Sequence, residues 1–252
     1  MLLGSSPWSC ARRACAALAC ALALVAGPAF ADDLSLRWNE CPEGGGLAQR
    51  TSGCGNPLAV EHLVTSLQLS APVDSVVAIE MVVDLVSSSA TLPDWWQFGS
   101  GGCNSGALSA SADFSALGAC SDPFSGTGVA VVQTWFVTQP RGGANMARMI
   151  VTTSVLASQQ TTIGAGAPYY GADIRMTHAR SSGASACAGC ATAVCLVFNS
   201  AQLIRHPAAV PAEVTVLPSG ASNTAAWQGN FSNCSLVPAR NTTWGAIKSL
   251  YR

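Results

Sequence analysis

Charge is what this chain has least of. Only 10% of its residues are charged, and Lys248 is its single lysine. Without a basic run, the electrostatic footprint of a nucleic-acid binder is missing. Histidine is also scarce: His62, His178 and His206 are too scattered to mark a site. No GxSxG elbow occurs. Gly99-Ser100-Gly101-Gly102 resembles a serine-protease nucleophile loop, but the acidic residue that should precede it is absent. Beyond residue 31, no apolar run reaches the roughly 18 residues that a transmembrane helix needs. These absences exclude the familiar nucleophile motifs and a later membrane span. They leave no catalytic residue, metal or cofactor to expect.

The first 31 residues read as an export signal. Arg12 and Arg13 form a positive start, Ala14 to Val25 an apolar stretch, and Ala29-Phe30-Ala31 a small-x-small cleavage site. Cleavage there leaves a slightly acidic chain starting at Asp32. The expected address is the periplasm, the cell surface or the medium.

Cysteine supports that address. The processed chain holds Cys41, Cys54, Cys103, Cys120, Cys187, Cys190, Cys195 and Cys234, an even set in an oxidising compartment. Sequence proximity suggests Cys41–Cys54 and Cys103–Cys120, with either Cys187 or Cys190 joined to Cys195 and the other to Cys234. The Cys187-Ala-Gly-Cys190 spacing also suits a zinc knuckle or a redox pair. Zinc would need a second well-spaced pair, and the redox reading a βαβ context; neither is present.

Period-two alternation recurs along the chain. Leu34, Leu36 and Trp38 alternate with polar neighbours. Residues 75–86 form the clearest strand, with Val77, Ile79, Met81, Val83 and Leu85 facing one way and Glu80 and Asp84 the other. Further strands are expected at 106–114, 129–137, 146–156, 169–179, 194–204, 213–217 and 225–229. In 169–179, Tyr170, Ile174, Met176 and His178 share one side. Turn signals separate these runs, including Leu92-Pro93-Asp94 and Pro218 to Gly220. The pattern predicts an all-β antiparallel sandwich, jelly-roll-like and disulfide-stapled, over residues 32–240. A short C-terminal helix is expected at 241–252, capped by Asn241 or Thr242 and carrying Trp244, Ile247 and Leu250 or Tyr251 at helical spacing.

Three segments carry a resemblance: Leu92-Pro-Asp-Trp-Trp-Gln-Phe98, the Cys187 cluster leading to Val194-Cys-Leu-Val-Phe-Asn-Ser200, and Asn241-Thr-Thr-Trp-Gly-Ala-Ile-Lys-Ser-Leu-Tyr-Arg252. Together they resemble a group of exported bacterial proteins with such a terminal segment. That resemblance implies an exported bacterial setting, and it transfers no activity and no site residues.

Trp95 and Trp96, beside Gln97 and Asp94, form the sequence's binding candidate. Indole faces stack on sugar rings, while a neighbouring amide and carboxylate accept and donate hydroxyl hydrogen bonds. The competing reading sends one of two adjacent strand residues into the core. Asp84, Asp94, Asp113, Asp122, Asp173 and Glu80 could supply a glycosidase pair, but no spacing couples any two. Asp113 and Asp122 also suit a calcium loop. Asn230, Asn233 and Asn241 match the glycosylation pattern. The leading expectation is a non-catalytic structural or binding protein whose partner is a glycan or a surface protein. An extracellular polysaccharide hydrolase is the alternative.

Overall fold

The computed structural model describes residues 31–138 and 143–229. Twelve strands run through them: β1 (Asp33–Trp38), β2 (Gln49–Arg50), β3 (Val60–Gln68), β4 (Val73–Ser87), β5 (Leu108–Ser111), β6 (Val129–Val137), β7 (Met146–Ser154), β8 (Thr161–Ile163), β9 (Pro168–Thr177), β10 (Val194–Arg205), β11 (Glu213–Val216) and β12 (Thr224–Trp227). One sheet has the order β1-β3-β9-β5. The other has the order β2-β12-β10-β4-β7-β6, with β11 on β10 and β8 on β4. All pairings are antiparallel except β2 with β12. The chain alternates between the sheets from β1 to β6, keeps β6–β8 and β10–β12 in the larger sheet, and builds the expected jelly-roll-like sandwich. Among the described residues no helix is long and apolar enough to cross a membrane. The predicted terminal helix, Cys234 and the three glycosylation motifs lie outside the described residues.

The core fills the space between the sheets. Leu34, Leu36, Leu63, Leu67, Ile174 and Met176 point inward from one sheet; Ile79, Met81, Val83, Leu85, Val151 and Phe198 do so from the other. Strict alternation fails at several bulges, and two of them re-aim a large side chain between core and outer face. In β4, pairing with β10 slips between Ile204 and Arg205, and Val76 rather than Val77 enters the core. In β9, a slip opposite Thr65 and Ser66 sends Tyr170 to the outer face, away from Ile174 and Met176. Gly171 sits in that slip. A β-carbon there would meet Met81 Sδ at 2.5 Å and Thr65 Oγ1 at 2.7 Å.

The disulfides are long-range, which corrects the proximity pairing. Cys41 joins Cys120, Cys54 joins Cys190, and Cys103 joins Cys187. Cys195 is disulfide-bonded as well. The two members of the CxxC motif therefore serve different bridges and hold neither each other, Cys195 nor a metal. The reason is topological. Sandwich connections bring loops distant in sequence to one sheet end, while backbone turns already close the local loops, as Gly44 N–H does to Cys41 O at 3.0 Å. Closing 79, 84 and 136 residues of separation constrains the unfolded chain more than local bridges would. Each bridge contributes about 4–5 kcal/mol in the chain-entropy picture.

Candidate binding site

The predicted aromatic platform is part of the core. Trp95 and Trp96 are both fully buried. They lie on a single 3-10 turn, Asp94–Trp96, rather than on a strand. Successive side chains on such a turn are about 120° apart, so both indoles can point inward. Trp95 stacks on Trp227 at 5.4 Å and 13°, and Trp96 meets Trp95 edge-on at 4.9 Å. Gln97 and Asp94 close their own turn, through Gln97 Nε2 to Leu92 O and to Asp94 Oδ1, both at 3.2 Å. This group offers no ring face to a ligand, which corrects the sequence assignment.

A different site forms where residues 112–128 fold back over the outer face of the four-stranded sheet. Short polar side chains shape this loop by mimicking backbone turns. Asp113 Oδ1 accepts Ser115 N–H at 3.0 Å. The Asp122 carboxylate accepts Phe124 N–H at 2.8 Å and Gly126 N–H at 2.6 Å. Three ties then hold the loop to the sheet. Cys120 is bonded to Cys41. Phe114 stacks on Tyr170 at 4.7 Å and 16°. The Tyr170 hydroxyl accepts the N–H groups of Ala119 and Cys120 at 3.0 and 3.1 Å and donates to Glu40 at 2.5 Å. Glu40 also accepts Gly118 N–H at 3.1 Å. Burial, reinforced by Glu40, pushes the Tyr170 hydroxyl above its ordinary value, so it stays a donor.

Beside these ties lies a recess of about 480 Å³, lined in part by Asp113, Ser115, Leu117, Asp122, Ser125 and Tyr170. The loop thus brings to one recess Asp113 and Asp122, which the sequence offered together as a calcium loop but did not couple as a glycosidase pair. Asp113 is exposed, and the Ser115 hydroxyl and N–H, helped by Arg175, hold its carboxyl below the usual range.

The same outer face carries an ordered charge row next to the recess. His62 on β3 lies opposite Arg175 on β9. Buried Asp173 faces His62 Nδ1 at 3.0 Å and accepts from Arg175 Nε at 2.7 Å. His62 itself is 39% exposed. The pair has the orienting half of a hydrolytic triad. Among the described residues no hydroxyl or thiol bonds to the other ring nitrogen, so no activated nucleophile accompanies it.

The remaining candidates are structural. Asp84 is buried on the outer face of the other sheet, in a bidentate pair with Arg148 at 2.6 and 2.8 Å, and also accepts from Asn199 Nδ2. Buried Glu61 accepts from Arg50 Nε at 2.7 Å and from Ser52 Oγ. Its other close neighbour is His178, fully buried against Trp95 and Trp227. Cys41, Glu43 and Cys120 converge within 4.8 Å, but the two sulfurs are bonded to each other and offer no thiolate to a metal. Sequence reasoning did not single out Glu40, Ser115, Leu117 or Ser125. The Asp113-x-Ser115 and Asp122-x-Phe124 turn spacings were the available signal.

No known protein family matches the chain, and no curated protein sequence matches it.

Proposed function

We propose that this is an exported binding protein and that the recess formed by residues 112–128 seats a hydroxyl-rich ligand of the glycan class. The observation that carries the reading is the lining. Asp113 and Asp122 supply acceptors, Ser115 and Ser125 supply hydroxyls, and Leu117 supplies an apolar wall, all on a loop anchored by a disulfide. A concave site with a few fixed polar groups is the usual form of a small-ligand seat. The signal-like first 31 residues and the disulfide set support export to the periplasm, the surface or the medium.

A polysaccharide hydrolase is the second reading, because two loop carboxylates share this recess. Glycoside hydrolysis needs one carboxyl kept protonated by a raised pKa. Asp113 is shifted the other way, and Asp122 already accepts two backbone N–H groups. Binding is therefore the better reading.

The test is a pull-down of oxidised protein on a panel of soluble and insoluble polysaccharides, beside an Asp113→Ala/Leu117→Ala variant of verified fold. Binding lost in the variant supports the recess. Retained binding places the ligand elsewhere, and no binding by the wild type to any polysaccharide defeats the glycan reading. Release of reducing ends from a bound polysaccharide would move the protein to the enzyme class.

A further inference from the structure

Cys195 sits on β10 with its side chain on the outside of the larger sheet. Val194, Leu196 and Phe198 point into the core, so Cys195 and Val197 between them point out. Register across four strands places Ala226, Cys195, Val86 and Met146 in one outer row. The row holds no charge. Side chains on an outer face are ordinarily wet, yet Ala226, Val86 and Val197 are buried, and Cys195 completely so. Among the described residues, the hydrophobic side chain packed against Val86, Cys195 and Val197 is Met146, from the same sheet.

Cysteine arithmetic names the occupant. Six of the eight cysteines beyond residue 31 pair among themselves, and Cys195 is disulfide-bonded too. Cys234 is the one that remains. Chain reach permits the bond. Trp227 pairs with Val194, so Gly229 lies within about 16 Å of Cys195. The stretch from Gly229 to Cys234 extends up to roughly 18 Å, and a disulfide needs α-carbons only about 6 Å apart. Left-handed backbone at Gln228 and Gly229, φ 58° and 104°, bends the chain off the line of β12. Gln228 is held in that bend by its N–H to Arg50 O at 2.7 Å and its Nε2 to Ser52 O at 2.8 Å.

We infer that the segment after Gly229 folds back across the outer face of the larger sheet and is stapled there by a Cys195–Cys234 disulfide. The inference rests on the export reading, which removes Cys10, Cys15 and Cys20 with the signal and supplies an oxidising compartment. Two thiols become one S–S bond, and their two protons and two electrons pass to a disulfide-carrying oxidant of that compartment, which leaves as a dithiol. The strap covers the apolar row. The recess lies on the outer face of the other sheet, so residues 235–252 start on the side turned away from it, and attachment through them leaves the recess open.

Differential alkylation with peptide mapping tests this on the full chain expressed for export. The wild type, denatured without reductant, should show no free thiol. Cys234→Ser should show one per chain, at Cys195. A thiol at another cysteine, or none, would overturn the inference. Carbene footprinting of the folded proteins should label Val86 and Val197 several-fold more strongly in Cys234→Ser, and equal labelling would overturn the strap. Intact mass reads the signal separately: a chain that keeps residues 1–31 defeats the export reading, while Cys234 found free or bonded elsewhere defeats the staple. If the variant does not fold, the wild type decides. Tryptic residues 206–240 should stay joined to residues 181–205 until reduction, and elastase cleavage between Cys190 and Cys195 should leave Cys234 with Cys195. Recovery of Cys234 with Cys187 or Cys190 refutes the pairing.

Discussion

Replacing Glu61 by glutamine tests the polar bookkeeping at its most exposed point. Glu61 lies on β3, buried, and ties the segment around β2 to the sheet through Arg50 and Ser52. Burial alone would raise its pKa. Bonds from His178, Ser52 and Arg50, with the Arg50 charge, reverse that and hold the carboxyl at about 2, down from 4.5. His178 Nε2 stands 3.3 Å away and is poorly aligned, so we assign most of the effect to Arg50 and Ser52. A depressed pKa means that folding favours the ionised form. The stabilisation is complete above pH 4.5 and fades as pH falls toward 2. At 1.36 kcal/mol per unit, the shift corresponds to about 3 kcal/mol. Glu61→Gln keeps the shape and removes the charge. Urea unfolding at neutral pH should place the variant about 3 kcal/mol below wild type. The gap should close as pH falls toward 2 and below, as the wild-type carboxyl becomes protonated. Equal midpoints at neutral pH, or a gap that does not change with pH, would refute the reasoning.

Removing the Cys41–Cys120 bridge with Cys41→Ala/Cys120→Ala should cost about 4 kcal/mol in denaturant unfolding and abolish glycan capture. The near-ultraviolet signal of the buried tryptophans should survive at low denaturant. Tyr170→Phe removes a hydroxyl that makes three hydrogen bonds. It should cost about 2 kcal/mol and raise hydrogen exchange at Ala119 and Cys120 above that of the sheet. Trp95→Ala empties a fully buried position and should cost about 3–5 kcal/mol by thermal or chemical unfolding. Any Trp95→Ala molecules that remain folded should bind glycan as the wild type does.

Strands with one buried face were legible. Residues 129–137 coincide with β6, and the runs at 75–86, 146–156 and 194–204 fall within two residues of β4, β7 and β10. β3 escaped because burial on its two faces spoils the alternation. Glu61 points into a polar cluster, while Val64 and Ser66 are covered on the outside. Bulges were illegible for a related reason. Val76 and Val77 are equally apolar, and only pairing with β10 decides which faces the core. The tryptophan pair misled through backbone type, since a 3-10 turn sends both residues inward where a strand would split them. Cysteine pairing and the Asp113–Asp122 recess depend on which loops meet in space. Short-range spacing carries the turns that build the recess, but not the tie to Tyr170 and Glu40.

The most direct test of the recess is an amide chemical-shift titration of isotope-labelled, oxidised protein with a panel of soluble oligosaccharides. Our account predicts saturable shifts concentrated at residues 112–128 and Tyr170, with the Asp94–Trp96 turn unmoved. Shifts centred on another loop, or none with any fragment, would contradict it.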